Sequence, residues 1–441
     1  GIEPGTSLPE NIAKIVVLPP DQRNEMQREQ LLTYFSSLQS PTKELQAKLD
    51  DIKKKEPPKP EISVRVIGQR TQNPRKTFVL KRGEFLEPLK DLEVQPAALE
   101  TLPAFKARES SQMADRLDLA RWLVSTDNPL PPRVTVNHVW RQLFGTGIVR
   151  TPNDFGVRGD PPTHPELLDW LAAEFIGLKP VGSVSAGTGR YAPGTPWSRK
   201  SLIKRIVMSA TYRQSSQHRE ELRDADPQNQ LLARQNRLRV EGEIVRDISL
   251  EVAGLLSTKI GGPSVFPPLP PGIAELSYAG NFRWEPSKGE DRYRRGMYTF
   301  FKRTAPHPNL TMFDCPDANL TCVERRTSNT PLQALTSLNN ETFSETSRAF
   351  ARRLLTTVAS DDRTRLSNAI RLSVARPPRD SELTALAELL KSAREWYRTH
   401  PDQARQLVAA DAVPAVSVDE NAAWIATARI LINLDEFITR E

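Results

Sequence analysis

A mainly α fold follows from three features of this sequence. Apolar residues recur at helical spacing along most of the chain, a two-residue alternation is confined to one short stretch near residues 62–80, and Pro/Gly-rich connections separate the periodic segments. The expected architecture is a multi-helix scaffold with a small β-ribbon near the N-terminus and long irregular Pro/Gly-rich loops. The 441 residues are 38% hydrophobic and 26% charged, with 7 Trp and 15 Phe to anchor packing, so the chain reads as globular rather than disordered.

Residues 21–56 carry apolar side chains at helical spacing, and Ser40-Pro41 breaks the run, which predicts a helical hairpin. The stretch KEPPKP at 55–60 is a stiff linker, because proline fixes φ and cannot extend a helix, and it closes a first part at residues 1–60. Ile62, Val64 and Val66, then Phe78 and Leu80, alternate like half-buried strands before a turn at Gly83. Residues 61–105 are therefore expected to form a small β connector. The helical period returns after Leu102-Pro103, giving a main helical domain at 106–331 and a C-terminal helical bundle at 332–441 packed on it.

Within the main domain, Leu117, Ala120, Trp122 and Leu123 mark one amphipathic helix over 115–124. Val136, Val139, Trp140, Leu143 and Phe144 mark a second that Gly145 stops. A third opens with Thr163-His-Pro-Glu166, where threonine and glutamate are placed for a capping box and Pro165 lies in the tolerant first turn. Residues 177–197 are rich in Gly, Pro and Ser and predict a long surface loop. Helical patterns resume at 201–212 and 238–256, 261–272 is another Pro/Gly-rich connection, and the chain is irregular up to Pro331. Further helices are expected at 332–338, 342–358, 363–374, 380–400 and 421–437.

Lys and Arg exceed Asp and Glu by 7, a thin basic excess with both signs interspersed. Without a long Lys/Arg block or aromatic-interleaved basic stripe, this pattern argues against nucleic-acid binding, although the net field favours anionic polymers. No run approaches the roughly 20 apolar residues that span a bilayer. The N-terminus lacks a charged-then-apolar leader, so Gly1 reads as an internal start that follows either a removed leader or a larger N-terminal part. G-x-S-x-G, Walker, H-E-x-x-H and dinucleotide fingerprints are missing, as are C-x-x-C-H and any zinc spacing of Cys and His.

Several longer stretches carry a resemblance. ADRLDLARWLVSTDNPLPPRVTVNHVWRQLFGTGIVRTPNDFGVRGDPPTHPELLDWLAAEF resembles the opening of the C-terminal domain of unknown function of the planctomycete-type cytochrome c domain proteins. SLIKRIVMSATYRQSS, RLRVEGEIVRDISLEVAG, GGPSV, RRGMYTFFKRT, CVERRTSNTPLQALTSLNN and AWIATARILINLDEFITRE follow in that family's order. The hairpin and KTFVLKRGEFLEPLKDLEVQPAAL are similar to the connector that precedes the domain. The resemblance implies an exported protein, extracytoplasmic in the periplasm or at the cell surface, with haem c held in an upstream cytochrome domain. Its implied partners are that cytochrome domain, an upstream helical domain or other subunits. Relative to the family, 177–197 looks like an insertion, and Cys315 stands where a small residue is expected.

Two polar clusters are candidate sites. Asn153, Asp154, Arg158, Asp160 and His164 lie between two predicted helices, where they suit a ligand or a hard cation such as calcium, or the capping and ion pairing of a tight turn; the turn is the favoured reading. The preferred surface is Tyr298, Lys302, Arg303, Asp314, Glu324, Arg325, Arg326, Asn329 and Gln333. There Asp314 and Glu324 are candidate general acid and base, with Arg325 or Arg326 for an anionic sugar; the competing reading is a salt-bridge network that fastens irregular backbone. Tyr191, Trp197, Tyr278, Phe282 and Trp284 suit either sugar stacking or core anchoring. Cys315 and Cys322 are a disulfide candidate, a small ring worth about 2.5 kcal/mol that an exported setting favours, set against two separate thiols. No cofactor is expected in this chain, and calcium has no supporting motif.

The leading functional expectation is a non-haem helical interaction or scaffold domain that joins a cytochrome-bearing polypeptide to partners or to a polysaccharide. The alternatives are a carbohydrate-active or other polymer-degrading enzyme using the Asp/Glu pair, and an anionic-polymer binding module.

Overall fold

A computed structural model describes residues 8–38, 40–57, 66–70, 73–109, 113–178, 195–270, 272–273, 283–357 and 361–440. The chain divides into two compact units, Gly1–Gln95 and Pro96–Glu441. It is mainly α, with fifteen α-helices among the described residues and two small antiparallel ribbons.

In the first unit, α1 (Glu10–Val16) buries Ile12 and Ile15. Helices α2 (Glu25–Leu38) and α3 (Ser40–Lys54) meet at the expected Ser40-Pro41 break, but Leu32, Leu45, Leu49 and Ile52 are exposed, so the two do not bury apolar faces against each other as a hairpin would. The ribbon pairs β1 (Thr77–Leu80) with β2 (Pro88–Val94) through a turn in which Gly83 takes φ +81°. Its side chains are mostly exposed, so the half-buried strands expected from the alternation are not found: Val79, Leu80, Leu92 and Val94 all face solvent. Val66 is exposed too, and the Ile62–Val64 part lies outside the described residues.

The second unit holds two cores. The first is built by α5 (Leu130–Phe144), α6 (Pro165–Ile176) and α7 (Arg199–Val207), preceded by α4 (Arg116–Leu123). Val136, Trp140 and Phe144 fall on one face of α5 and meet Leu168, Leu171 and Phe175 of α6. Trp140 stacks on Phe144 at 4.3 Å, and Gly145 ends the helix at φ +83°, a conformation that glycine adopts without a Cβ clash. The expectation for α4 fails, since Leu117, Leu119 and Leu123 are exposed and its buried residue is Asp118. Asp118 is held inside because it is fully bonded. Its carboxylate accepts the Asp115 backbone N–H at 2.8 Å and the Arg108 Nε at 2.7 Å, while Asp115 accepts the Asp118 N–H at 2.9 Å.

At α6 the capping box expected from Thr163 and Glu166 does not form. The helix begins at Pro165 with His164 as N-cap, one residue later than the box requires, and the Thr163 hydroxyl turns to the Ile148 carbonyl at 3.3 Å.

The second core runs from β3 (Leu238–Arg239) and α8 (Gly242–Val252), past the short α9 (Pro308–Met312), to a helical array. The array comprises α10 (Pro331–Asn339), α11 (Glu341–Thr357), α12 (Asp362–Val374), α13 (Asp380–Thr399), α14 (Pro401–Val408) and α15 (Val418–Ile432), with β4 (Thr439–Arg440) after it. Helix α15 is buried on almost every side through Ala422, Ala423, Trp424, Ile425, Ala428, Leu431 and Ile432, and its alanines let neighbours approach closely. Phe343, Phe350 and Leu354 of α11 share its core, and so do Val245 and Val252 of α8 and Phe313 after α9. A division at 331/332 therefore runs through a single core. Arg394 of α13 joins α12 to α15, reaching Asp362 at 2.6 Å and Glu420 at 2.6 Å. The ribbon of β3 with β4 returns the end of the bundle to the start of α8, with Leu238 opposite Arg440 and Arg239 opposite Thr439. No helix among the described residues is long and apolar enough to cross a membrane.

Candidate functional site

The irregular middle segment is laid along α8 by a glycine and buried charges. A Cβ on Gly296 would stand 2.5 Å from the Glu243 carbonyl oxygen, so only glycine permits this approach of segment to helix. The Asp247 carboxylate accepts the Gly296 N–H at 2.6 Å and the Arg295 Nε at 3.0 Å. Arg246 donates to the carbonyls of Arg292 at 2.7 Å and Arg294 at 3.3 Å, and burial pulls its guanidinium down to about 10, still charged at neutral pH.

Arg294 is 1% exposed and donates to the carbonyls of Gly261, Lys259 and Pro263 at 2.5, 3.1 and 3.3 Å. Its guanidinium lies 3.7 Å from the centre of the Tyr298 ring, and the Tyr298 hydroxyl accepts the Gly261 N–H at 2.8 Å. Tyr298 is thus a wall of this arginine's pocket. Arg292 and the Tyr293 hydroxyl converge on Glu345 of α11 at 2.9 and 2.7 Å, which raises the Tyr293 hydroxyl, first through burial and then through the carboxylate.

The expected acid/base pair is divided between two anchors. Asp314, at φ +61°, accepts the Ser328 N–H at 2.7 Å, the Ser328 hydroxyl at 2.8 Å and the Gln333 side-chain amide at 3.2 Å. Glu324 instead pairs with Arg141 of α5 at 3.1 Å and is about half exposed. Gln333 is 1% exposed and also accepts from Arg239 at 3.0 Å. Arg325 forks onto Glu243 at 2.7 and 3.1 Å and reaches Glu241 at 3.1 Å. That fork holds the Glu243 carboxyl below its ordinary value against the opposing effect of burial. Lys302 is half-buried, whereas Arg303, Arg326 and Asn329 are exposed and make no side-chain bond among the described residues.

The disulfide candidate is not formed: both cysteines are free. Cys315 follows the turn closed by its N–H on the Leu310 carbonyl, and its thiol donates to Glu243 at 3.6 Å; Cys322 faces the Glu324 carbonyl at 3.2 Å. The two sulfurs are committed to different anchors. Burial, then the Glu243 charge, pushes the Cys315 thiol up to about 11.

The other polar cluster forms a tight turn. Asp154 accepts the Gly156 N–H at 2.8 Å, while Thr151 donates to the Asp154 carbonyl and accepts the Asp160 N–H, each at 2.9 Å. His164 stands at the N-cap position of α6 with its ring turned to the Thr163 hydroxyl at 3.0 Å rather than to the helix, and Asn153 and Arg158 are exposed. No group of three or more His, Cys, Asp or Glu that could hold a metal ion occurs among the described residues. Trp197 packs edge-on against Phe175 at 5.2 Å, and Trp284 packs on Phe266 at 5.2 Å while donating to the Pro267 carbonyl at 2.7 Å; both are anchors. Tyr191, Tyr278 and Phe282 lie outside the described residues.

Sequence reasoning missed an open cleft of about 460 Å³ beside Arg325, lined also by Arg141, Arg237, Arg239 and Arg440. These residues are scattered over 300 positions; the β3–β4 pairing brings Arg239 beside Arg440, and Arg141 reaches the Arg325 carbonyl. The pattern R-L-R at 237–239 is their single local signal.

The profile of a family described as PSD1, Protein of unknown function (DUF1553), matches residues 115–390. No curated protein and no solved structure matches the chain.

Proposed function

The chain belongs to the PSD1 family of proteins of unknown function (DUF1553), and from that premise we propose that it is an extracytoplasmic, non-haem interaction domain of a polypeptide that carries a c-type cytochrome. The cytochrome association and the location outside the cytoplasm rest on the resemblance of its motifs. The observation that carries the interaction reading is the use made of the polar middle segment. Asp314 closes on Ser328 and Gln333, Glu324 on Arg141, and Arg325 on Glu243, so these groups join elements. Such engagement favours a scaffold over a polymer-degrading enzyme with Asp314 and Glu324 as acid and base, which needs both carboxyls facing one open substrate site.

An antibody raised against this chain tests the reading on the native polypeptide. The expected result is recovery in the extracytoplasmic fraction, in a band that also stains for covalent haem after denaturing electrophoresis. A cytoplasmic, haem-free band would contradict it.

A further inference from the structure

Five arginines contributed by four parts of the chain surround the cleft: Arg141 of α5, Arg237 and Arg239 at β3, Arg325 of the middle segment and Arg440 of β4. Among the described residues, Glu241 is the one carboxylate in its lining. Four of the five guanidiniums have a carboxylate partner, and Arg325 is held most firmly, by Glu243 at 2.7 and 3.1 Å and by Glu241 at 3.1 Å. Asp435 pairs with Arg239 at 3.0 Å and Arg237 at 3.6 Å, and Glu324 pairs with Arg141. The side chains of Asp435 and Glu324 are 57% and 48% exposed, and ion pairs that open to water contribute only about 0–1 kcal/mol, so a ligand anion can replace these two partners at Arg141, Arg237 and Arg239.

The side chains of Arg141 and Arg239 are 16% and 14% exposed, which fixes them as walls. Arg440 has no carboxylate partner among the described residues. Among the described residues it is bonded through Nη2, to the carbonyls of Gln142 at 2.8 Å and Leu143 at 3.2 Å, and its Nε and Nη1 have no acceptor there. Leu238, Val240 and Ile244 supply apolar lining between the charges. The spare donors of Arg440, beside guanidiniums whose carboxylate partners are open to water, border a concave, partly apolar space and match the planar or tetrahedral oxygens of acids.

We propose that this cleft binds an oligoanion, a ligand carrying at least two carboxylate, phosphate or sulfate groups. A single oxyanion engages one or two forks, whereas the guanidiniums of α5, β3 and β4 together accommodate several. The inference goes beyond the interaction reading and holds whether or not a cytochrome is attached.

Titration calorimetry on the whole chain at constant ionic strength tests it, with citrate, pyrophosphate and sulfate as probes. The expected result is saturable one-to-one binding of citrate or pyrophosphate, with sulfate weaker; the preferred probe tells carboxylate from phosphoryl chemistry. Arg440→Ala should weaken that binding at least tenfold, and Arg158→Ala, an equal loss of charge on an exposed loop, should leave it unchanged. Arg237→Gln serves as a second variant should Arg440→Ala lose its native circular dichroism. The absence of saturable binding, or equal binding by the cleft variants and Arg158→Ala, would overturn the proposal.

Discussion

A guanidinium buried without a carboxylate beside it has to place its donors on backbone carbonyls, and Arg294 does so on Lys259, Gly261 and Pro263. Arg294→Ala leaves those carbonyls without their donor and is expected to cost about 3 kcal/mol or more in urea unfolding; Arg294→Lys should recover little, because an ammonium cannot reproduce the fork. His307 makes the opposite adjustment. It is 2% exposed, its Nδ1 accepts the Asn309 N–H at 3.2 Å, and its Nε2 lies 3.0 Å from the Pro268 carbonyl, so the neutral ring fits both partners. Burial lowers it to about 4. A histidine depressed in the folded state binds more protons when unfolded, so its contribution is full above about 6.5 and declines as pH falls toward 4. Stability should fall by about 2 kcal/mol between pH 7 and 5 on this account, and His307→Gln should flatten that slope. The cysteines give a chemical check on the same region. With a thiol reagent under native conditions, exposed Cys322 should react at once and Cys315 far more slowly. Failure of either to react before reduction would instead restore the disulfide.

Caps separate what was legible in single elements from what was not. Asp115→Ala should cost about 1 kcal/mol because it opens the box at α4, whereas Glu166→Ala should stay within about 0.5 kcal/mol, since no box exists at α6. Thermal unfolding of the two variants decides between the sites. The helices of the bundle were readable because their apolar spacing is long and regular: α12 and α13 lie within a residue or so of the expected spans. Helix α14 was not among the expected segments, although Pro401 stands at its first position, where proline is compatible with a helix start. The exposed leucines of α4 misled for another reason. Periodicity says that residues share a face and not that anything covers it, and here the buried group is a bonded aspartate. At the candidate site Asp314, Glu324 and Arg325 serve separate anchors, and that division was not legible. It depends on the left-handed turn at Asp314 and on contacts with Arg141 and Glu243, far away in sequence.

At the scale of the whole molecule, the middle segment and the C-terminal helices share one core. Phe313 packs at 6.1 Å on Phe343 of α11, and Glu345 of that helix receives Arg292 and Tyr293. Phe313→Ala and Phe350→Ala should therefore each cost about 3–5 kcal/mol and shift the same transition rather than divide it in two. Native-state hydrogen exchange in low denaturant measures this most directly. The amides of Val265, Gly296 and Phe300, bonded to Tyr298, Asp247 and Val265, should exchange through the same opening as those of α15, with matching dependence on denaturant. Exchange of the three amides orders of magnitude faster than α15, with no denaturant dependence, would mean that the arginine-rich segment is a separate loop and would contradict the account.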